Sequence, residues 1–348
     1  AMLAFWSGQS VGREGPAIHL GAAASSGIGA LLHLPDNSIR VLVGCGAAAA
    51  IAASFNTPIA GVIFSMEVII LEYTISGFVP VILAATTATL INQVVYGNVP
   101  AFVVPPVSMN SFFDLPFLLF EGVAIGMLAA CFIFLVRFLS ARAPSRLWQR
   151  YLLAGAVTGT AALAAPEVLG IGYDTVDQAL AGSLSLVLLL LICALKLVTS
   201  ATSVAMGIPA GLIGPTLFIG AAAGGLIGVL GEAIAPDHAS SAAFYVALGM
   251  GAMMGAVLQA PLGALMAVME LTHNANIILP AMLVIVTANL TASHLFRQRS
   301  IFLNQMDMLG LSYEANPVSQ VLDRTSVASV MTQRFFLASV LSDRAELV

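Results

Sequence analysis

Charge is what this chain of 348 residues has least of: 12 Lys and Arg and 17 Asp and Glu, together 8% of the sequence. A soluble domain carries about 25% charged residues, so this composition excludes a free-standing fold that covers its surface with ions. None of residues 41–66, 73–113, 151–166, 178–195, 197–231, 239–269 and 271–296 is Asp, Glu, Lys or Arg. A spanning helix needs about 20 apolar residues, and several of these windows are longer. Hydrocarbon forces backbone groups to pair internally, and the period-2 alternation of a lipid-facing barrel is absent. The fold class read from these facts is all-α and integral to a membrane. The few basic residues form no patch for nucleic acid, so that partner class is excluded. Three cysteines, Cys45, Cys131 and Cys193, sit in apolar surroundings at spacings that fit neither a metal site nor a disulfide framework, and are read as packing residues. No metal or organic cofactor is expected. No cleavable signal peptide is visible, and residue 1 falls inside an apolar run, so a chain truncated at its N-terminus is expected.

What the sequence does have is long apolar segments, over roughly 17–32, 41–71, 78–97, 115–137, 151–165, 183–205, 212–235, 242–269 and 277–296. Arg137, Arg142, Arg146 and Arg150 cluster in one short stretch, and Arg297 and Arg299 follow the last apolar segment. The positive-inside rule puts both places, and the C-terminus, on the cytoplasmic side of the cell's inner membrane. Residues 304–348 are mixed polar and are expected outside the bilayer.

The chain repeats itself. Residues 12–32, GREGPAIHLGAAASSGIGALL, and 211–231, GLIGPTLFIGAAAGGLIGVLG, share ten of 21 positions at a constant offset of 199. A second pair of blocks, 44–67 and 249–270, follows in the same order, and nine residues separate Pro58 from Glu67 as they do Pro261 from Glu270. Two homologous halves follow. The similarity does not distinguish parallel from inverted halves, although inverted repeats around a midplane site are a recurrent transporter design.

The uncharged stretch around Gly207-Ile208-Pro209-Ala210-Gly211-Leu212-Ile213-Gly214-Pro215 spans 35 residues. As one helix it would run about 50 Å, beyond a hydrocarbon core of about 30 Å. Its two prolines and three glycines break it, and Pro215 suits the first turn of the helix that follows. Such a break offers backbone N–H groups at a helix N-terminus, which bind anions. Its repeat partner, Gly12-Arg13-Glu14-Gly15-Pro16, places a carboxylate where an anion would sit. Intramembrane acids are costly and mark function. Glu14 is read as a tethered mimic of the substrate that leaves when protonated; the competing readings are an ion pair with Arg13 or a helix cap.

With these residues in place the chain resembles the CLC family of chloride channels and transporters. Gly-Arg-Glu-Gly-Pro at 12–16 looks like that family's signature, and Gly211-Leu212-Ile213-Gly214-Pro215 is similar to its second one. Ala53 to Gly61 and Val268-Met269-Glu270-Leu271-Thr272 resemble the stretches that follow each signature. The likeness runs from residue 1 to about 310. It implies the CLC fold, an inverted repeat of tilted and re-entrant helices, and a homodimer with one pore per protomer. It implies bound chloride, possible proton exchange and contact with membrane lipid. By the same resemblance Glu14 is the gate, and Arg13, Glu14, Gly15, Leu212, Ile213 and Phe302 surround the anion. Glu67 and Glu270 match the acids that end the proline-containing helices. Residues 311–323 are then a linker after a 1–310 core, and 324–348 look like the start of a cytoplasmic CBS domain, cut at 348, where a complete domain would take a nucleotide.

Three departures from the family pattern stand out. The upstream Gly-Ser-Gly-Ile-Pro motif is absent from the chain, so its anion-contacting serine has no counterpart here. The tyrosine that closes the central site aligns with Phe302, which lacks the hydroxyl donor. The internal proton-transfer glutamate of many exchangers falls at Val68, beside Glu67. The expected function is therefore transport of chloride or a similar small anion, channel-like or weakly proton-coupled. The alternative is a proton-coupled chloride antiporter, and a more distant one a solute transporter of another broken-helix fold. An enzyme is not expected: Gly21 to Gly29 superficially resembles a dinucleotide-binding turn, but its glycine spacing is wrong and no acid follows at the required distance.

Overall fold

The computed structural model describes residues 2–98, 100–109, 111–209, 211–234 and 240–311. Apart from Leu311, the segments expected as linker and CBS start lie outside the described residues. Residues 1–304 form one compact unit and 305–348 another.

Among the described residues the regular structure is helical. The first half contains α1 (Met2–Trp6), α2 (Glu14–Leu31), α3 (Asp36–Phe55), α4 (Pro58–Phe64) and α5 (Ile75–Tyr96). The second contains α6 (Leu115–Ala141), α7 (Leu147–Ala164), α8 (Tyr173–Leu180), α9 (Leu186–Ala205), α10 (Ile213–Ile234), α11 (Ala242–Leu258), α12 (Pro261–Thr272), α13 (Ile278–Leu290) and α14 (Ile301–Met308). Six helical segments are long and apolar enough to cross a membrane, among them α3, α6, α9 and α10. The chain is a multi-pass membrane protein.

Two apolar segments read from sequence as continuous are each two helices. The 41–71 segment stops at Phe55, where Asn56 turns left-handed at φ 57°, and restarts at Pro58. The 242–269 segment stops at Leu258, where Gln259 turns at φ 53°, and restarts at Pro261. The reason is the same in both. A left-handed residue ends the first helix, and a proline with its preset φ and missing N–H starts the second. The expected break before α10 is present: α9 ends at Ala205, Gly207 turns at φ 77°, and α10 begins at Ile213.

The halves are built alike. In the first, α2 and α3 close until an ideal Cβ on Gly21 would lie 2.3 Å from the Gly46 carbonyl oxygen, and one on Gly46 would lie 2.1 Å from that of Gly21. In the second, the equivalent pair of α10 and α11 gives 2.2 Å for Gly220 and 2.3 Å for Gly249. Only glycine permits that approach, which is how membrane helices gain packing energy without a hydrophobic drive between them.

Equivalent residues also meet each other across the halves. Gly12 N–H donates to Gly211 O at 2.9 Å and Gly211 N–H donates to Gly12 O at 2.7 Å, an antiparallel bridge between repeat partners. Glu67 accepts from Leu262 N at 3.3 Å and Gly263 N at 2.8 Å; Glu270 accepts from Ile59 N at 2.9 Å and Ala60 N at 2.7 Å. Each glutamate therefore caps the other half's proline-started helix. Contacts exchanged in this way are those of a twofold axis relating the two halves.

Burial follows the same plan. Helices α10 and α11 are buried on nearly every side, whereas α5 exposes Ile75, Val79, Leu83, Leu90, Ile91 and Val94. Cys45 and Cys193 are buried as expected, but Cys131 is exposed on α6. Met250, Met253 and Met254 pack inside.

Gly249→Val is expected to cost at least about 2–3 kcal/mol by overpacking against backbone, read as loss of monodisperse protein or a drop in Tm in detergent. Gly27→Ala, whose Cβ would meet nothing within 4 Å, should leave Tm within a degree or two of the parent.

Candidate functional site

The bridge between Gly12 and Gly211 sets the beginnings of α2 and α10 against each other. Glu14 is the first residue of α2 and is 1% exposed. Its carboxylate does not pair with Arg13. It folds back over the bridge and lies at the start of α10, where Oε2 accepts from Gly214 N at 3.4 Å. Oε1 accepts from the Tyr173 hydroxyl at 2.7 Å.

Three glycines make room for it. A Cβ on Gly12 would sit 2.0 Å from Oε2, one on Gly211 2.9 Å from Oε2, and one on Gly214 3.3 Å from Oε1. The carboxylate thus rests in a glycine cradle at the N-terminus of a 22-residue helix. The first N–H groups of such a helix lack intrahelical acceptors and carry the positive end of its dipole. The cradle therefore favours one negative group at a time: Glu14, or an anion if Glu14 leaves.

The other residues singled out from sequence fall as follows. Arg13 is exposed, donates from Nη2 to Ser54 O at 3.2 Å, and holds its guanidinium 5.6 Å from the centroid of the Tyr173 ring. The backbone N of Gly15 packs against Gly211. Leu212 and Ile213 are buried at the start of α10, beside the cradle. Glu67 and Val68 lie in the π-helical turn Ser65–Ile70 that continues α4. Val68 packs against the main core. Phe302 is half-buried on α14 against the same core.

A cavity of about 20 Å³ lies between the site and Glu67. It is lined by Phe55, Phe64, Ile213, Leu217, Met254 and Gly263 among others. Ile213 begins α10, and Gly263 gives its N–H to Glu67. The space suffices for about one water, but Thr57 brings the one hydroxyl to an otherwise apolar lining, too few partners to hold that water firmly.

Sequence reasoning missed Tyr173 and Lys196. Tyr173 lies outside both repeated blocks, so the comparison that exposed Glu14 passed over it. Lys196, the chain's one lysine, figured only as the residue dividing two uncharged windows. It is fully buried and donates to the carbonyls of Val168 at 3.0 Å and Gly170 at 2.8 Å.

The chain is similar to known proteins in sequence and in fold. Residues 1–293 match the family described as voltage gated chloride channel. A ClcB-like chloride channel protein of Ralstonia nicotianae is 34% identical over 324 residues, covering 89% of this chain and 75% of that one. Chloride channel protein CLC-e of Arabidopsis thaliana is 32% identical, over 80% of this chain and 44% of its own length. The H(+)/Cl(-) exchange transporter ClcA of Vibrio cholerae is 28% identical, over 80% of this chain and 62% of its own. Two solved structures share the fold. A slow cyanobacterial Cl-/H+ antiporter gives a TM-score of 0.81 at 22% identity, covering 88% of this chain and 73% of that one. A CLC-type fluoride/proton antiporter gives 0.70 at 24%, covering 86% and 73%.

Glu67→Gln and Glu270→Gln should destabilise alike, because each leaves one N–H of a helix start facing an amide and removes a charge from the dipole. The expected cost is about 1–2 kcal/mol each. Paired thermal melts check this; a large loss for one and none for the other would contradict the reciprocal clasp.

Proposed function

This chain belongs to the voltage gated chloride channel family, CLC, and we propose that the full-length protein moves chloride or a similar small monovalent anion across a membrane, with Glu14 as the gate. The observation that carries this reading is the Glu14 carboxylate seated in the glycine cradle at the start of α10. A negative group already occupies the place where backbone N–H groups and a helix dipole favour one. Protonation removes its charge and its advantage over a diffusing anion. The relatives' names point to the same substrate class: a chloride channel protein and an H(+)/Cl(-) exchange transporter.

Proton coupling is proposed to be weak. Val68 carries no proton, and Glu67 has both oxygens committed to Leu262 and Gly263 N–H groups. The cavity that would have to carry a proton from there toward Ile213 is apolar apart from Thr57. The second reading, a proton-coupled antiporter, is favoured by the relatives and solved structures whose names say exchange or antiport.

The remaining parts of the proposal concern setting. Arg142 and Arg146 lie in the α6–α7 turn, with Arg137 and Arg150 on the flanking helices. That supports a cytoplasmic placement of the turn. The apolar residues exposed on α5 call for lipid or a second protomer, which supports the homodimer.

Flux from proteoliposomes holding the full-length protein should be anion-selective and rise as pH falls. Glu14→Gln should flatten its pH dependence; a wild-type pH profile in that variant would place the gate elsewhere. Under a chloride gradient, uphill proton movement should be small. Pumping at a fixed chloride-to-proton ratio would establish the antiporter reading instead. Val68→Glu is expected to increase proton movement per anion.

A further inference from the structure

We propose that Tyr173 is the latch of the gate, holding the Glu14 carboxylate in the glycine cradle, and that Lys196 positions Tyr173 from behind. The inference rests on Glu14 being the gate and says what keeps it shut.

Two hydrogen bonds hold the carboxylate: one from Gly214 N–H at 3.4 Å and one from the Tyr173 hydroxyl at 2.7 Å. The first is long for an N–H···O bond, the second has the length typical of a hydroxyl bond to oxygen. Hydrogen bonds to an ionised acceptor are about twice as strong as neutral ones. The phenol is therefore the principal tether, and it comes from α8, an element independent of the two helix starts that form the cradle.

The phenol is held in place. Its ring packs edge-on to Phe102 at 4.9 Å between centroids and tilted against Phe55 at 6.3 Å. Tyr173 is the first residue of α8, a helix of eight residues, so the turn before it fixes where the hydroxyl points. That turn is pinned by Lys196. Its Nζ, on a side chain at 0% exposure, donates to the carbonyls of Val168 and Gly170 and lies 4.6 Å from the centroid of the Phe218 ring. Phe218 in turn presses on Gly172, the residue before Tyr173. Gly172 has φ +81°, and a Cβ there would meet the ring at 2.6 Å. Phe218 belongs to α10, so the helix that supplies the cradle also backs the turn that supplies the latch.

Burying an amino group with only two carbonyls and a ring as partners is costly. Its geometric consequence is a fixed start for α8. Among the described residues, the titratable or charged groups facing Glu14 are Arg13 on its own helix start and Tyr173 from α8; α10 presents backbone and Pro215. Lys196 stands behind the turn.

The direction of the effect follows from the donor. The phenol hydroxyl donates a hydrogen bond to the carboxylate and gains less from the protonated acid. It therefore favours the charged, docked gate. Without it, fewer protons are needed to release Glu14. When the gate leaves, the same hydroxyl is free to donate to the anion that enters.

The test is anion flux from proteoliposomes of the full-length protein across pH. Tyr173→Phe keeps the ring and removes only the donor. Its half-maximal flux should move up by about one pH unit, with flux at neutral pH up to about tenfold higher. Lys196→Met should move the midpoint the same way by less. In a Glu14→Gln background, Tyr173→Phe should leave the flattened pH profile flat. A Tyr173→Phe protein with the parent's midpoint, or one whose flux falls at every pH with the midpoint unmoved, overturns the latch. A Lys196→Met midpoint equal to the parent's overturns the positioning role. A Glu14→Gln protein that keeps the parent's pH profile overturns the gate reading beneath both.

Discussion

The whole arrangement depends on two backbone hydrogen bonds, those exchanged between Gly12 and Gly211. They join the same position of the two repeats, so they lie where the halves' twofold relation is most closely expressed. Because α2 and α10 begin just beyond them, the bridge brings two helix starts to one place. It also solves a problem that lipid imposes. Non-helical backbone inside a membrane has to find partners within the protein, and here each break in the chain satisfies the other. Any side chain at Gly12 would displace the Glu14 carboxylate, and one at Gly211 would strike Gly15 backbone.

The frame around the bridge is rigid for identifiable reasons. The glycine contacts of α2 with α3 and of α10 with α11 leave no space for sliding, and the reciprocal caps by Glu67 and Glu270 tie the proline-started helices of the two halves together. Against that frame, one side chain is free to move without disturbing a helix. Glu14 is the first residue of α2, and its departure breaks one phenol bond and one long backbone bond. A small local change in charge at Glu14 is thereby given a fixed surrounding to act on.

Much of this was legible in the sequence, and the limits of legibility are physical. The offset of 199 aligns Gly12 with Gly211, but equivalence is not contact, and only the fold shows that the two residues bond each other. The paired prolines Pro58 and Pro261 were read for their spacing to Glu67 and Glu270; that each glutamate caps the opposite helix is a tertiary fact. The same prolines mark the breaks in the 41–71 and 242–269 segments, which length and apolarity alone had joined. Tyr173 lies 159 residues from Glu14 and outside the repeats, so neither spacing nor symmetry pointed to it. The phenol that the family pattern places at Phe302 is missing there, while a phenol from α8 reaches Glu14.

The central claim is that the cradle of Gly12, Gly211 and Gly214 is an anion site occupied by Glu14 when the gate is shut. Anomalous diffraction from crystals of the Glu14→Ala protein in bromide tests it most directly. The account predicts a bromide peak within hydrogen-bonding distance of Gly214 N and the Tyr173 hydroxyl, absent from the parent protein grown at alkaline pH. A vacant cradle in Glu14→Ala, with bromide bound only elsewhere, would contradict it.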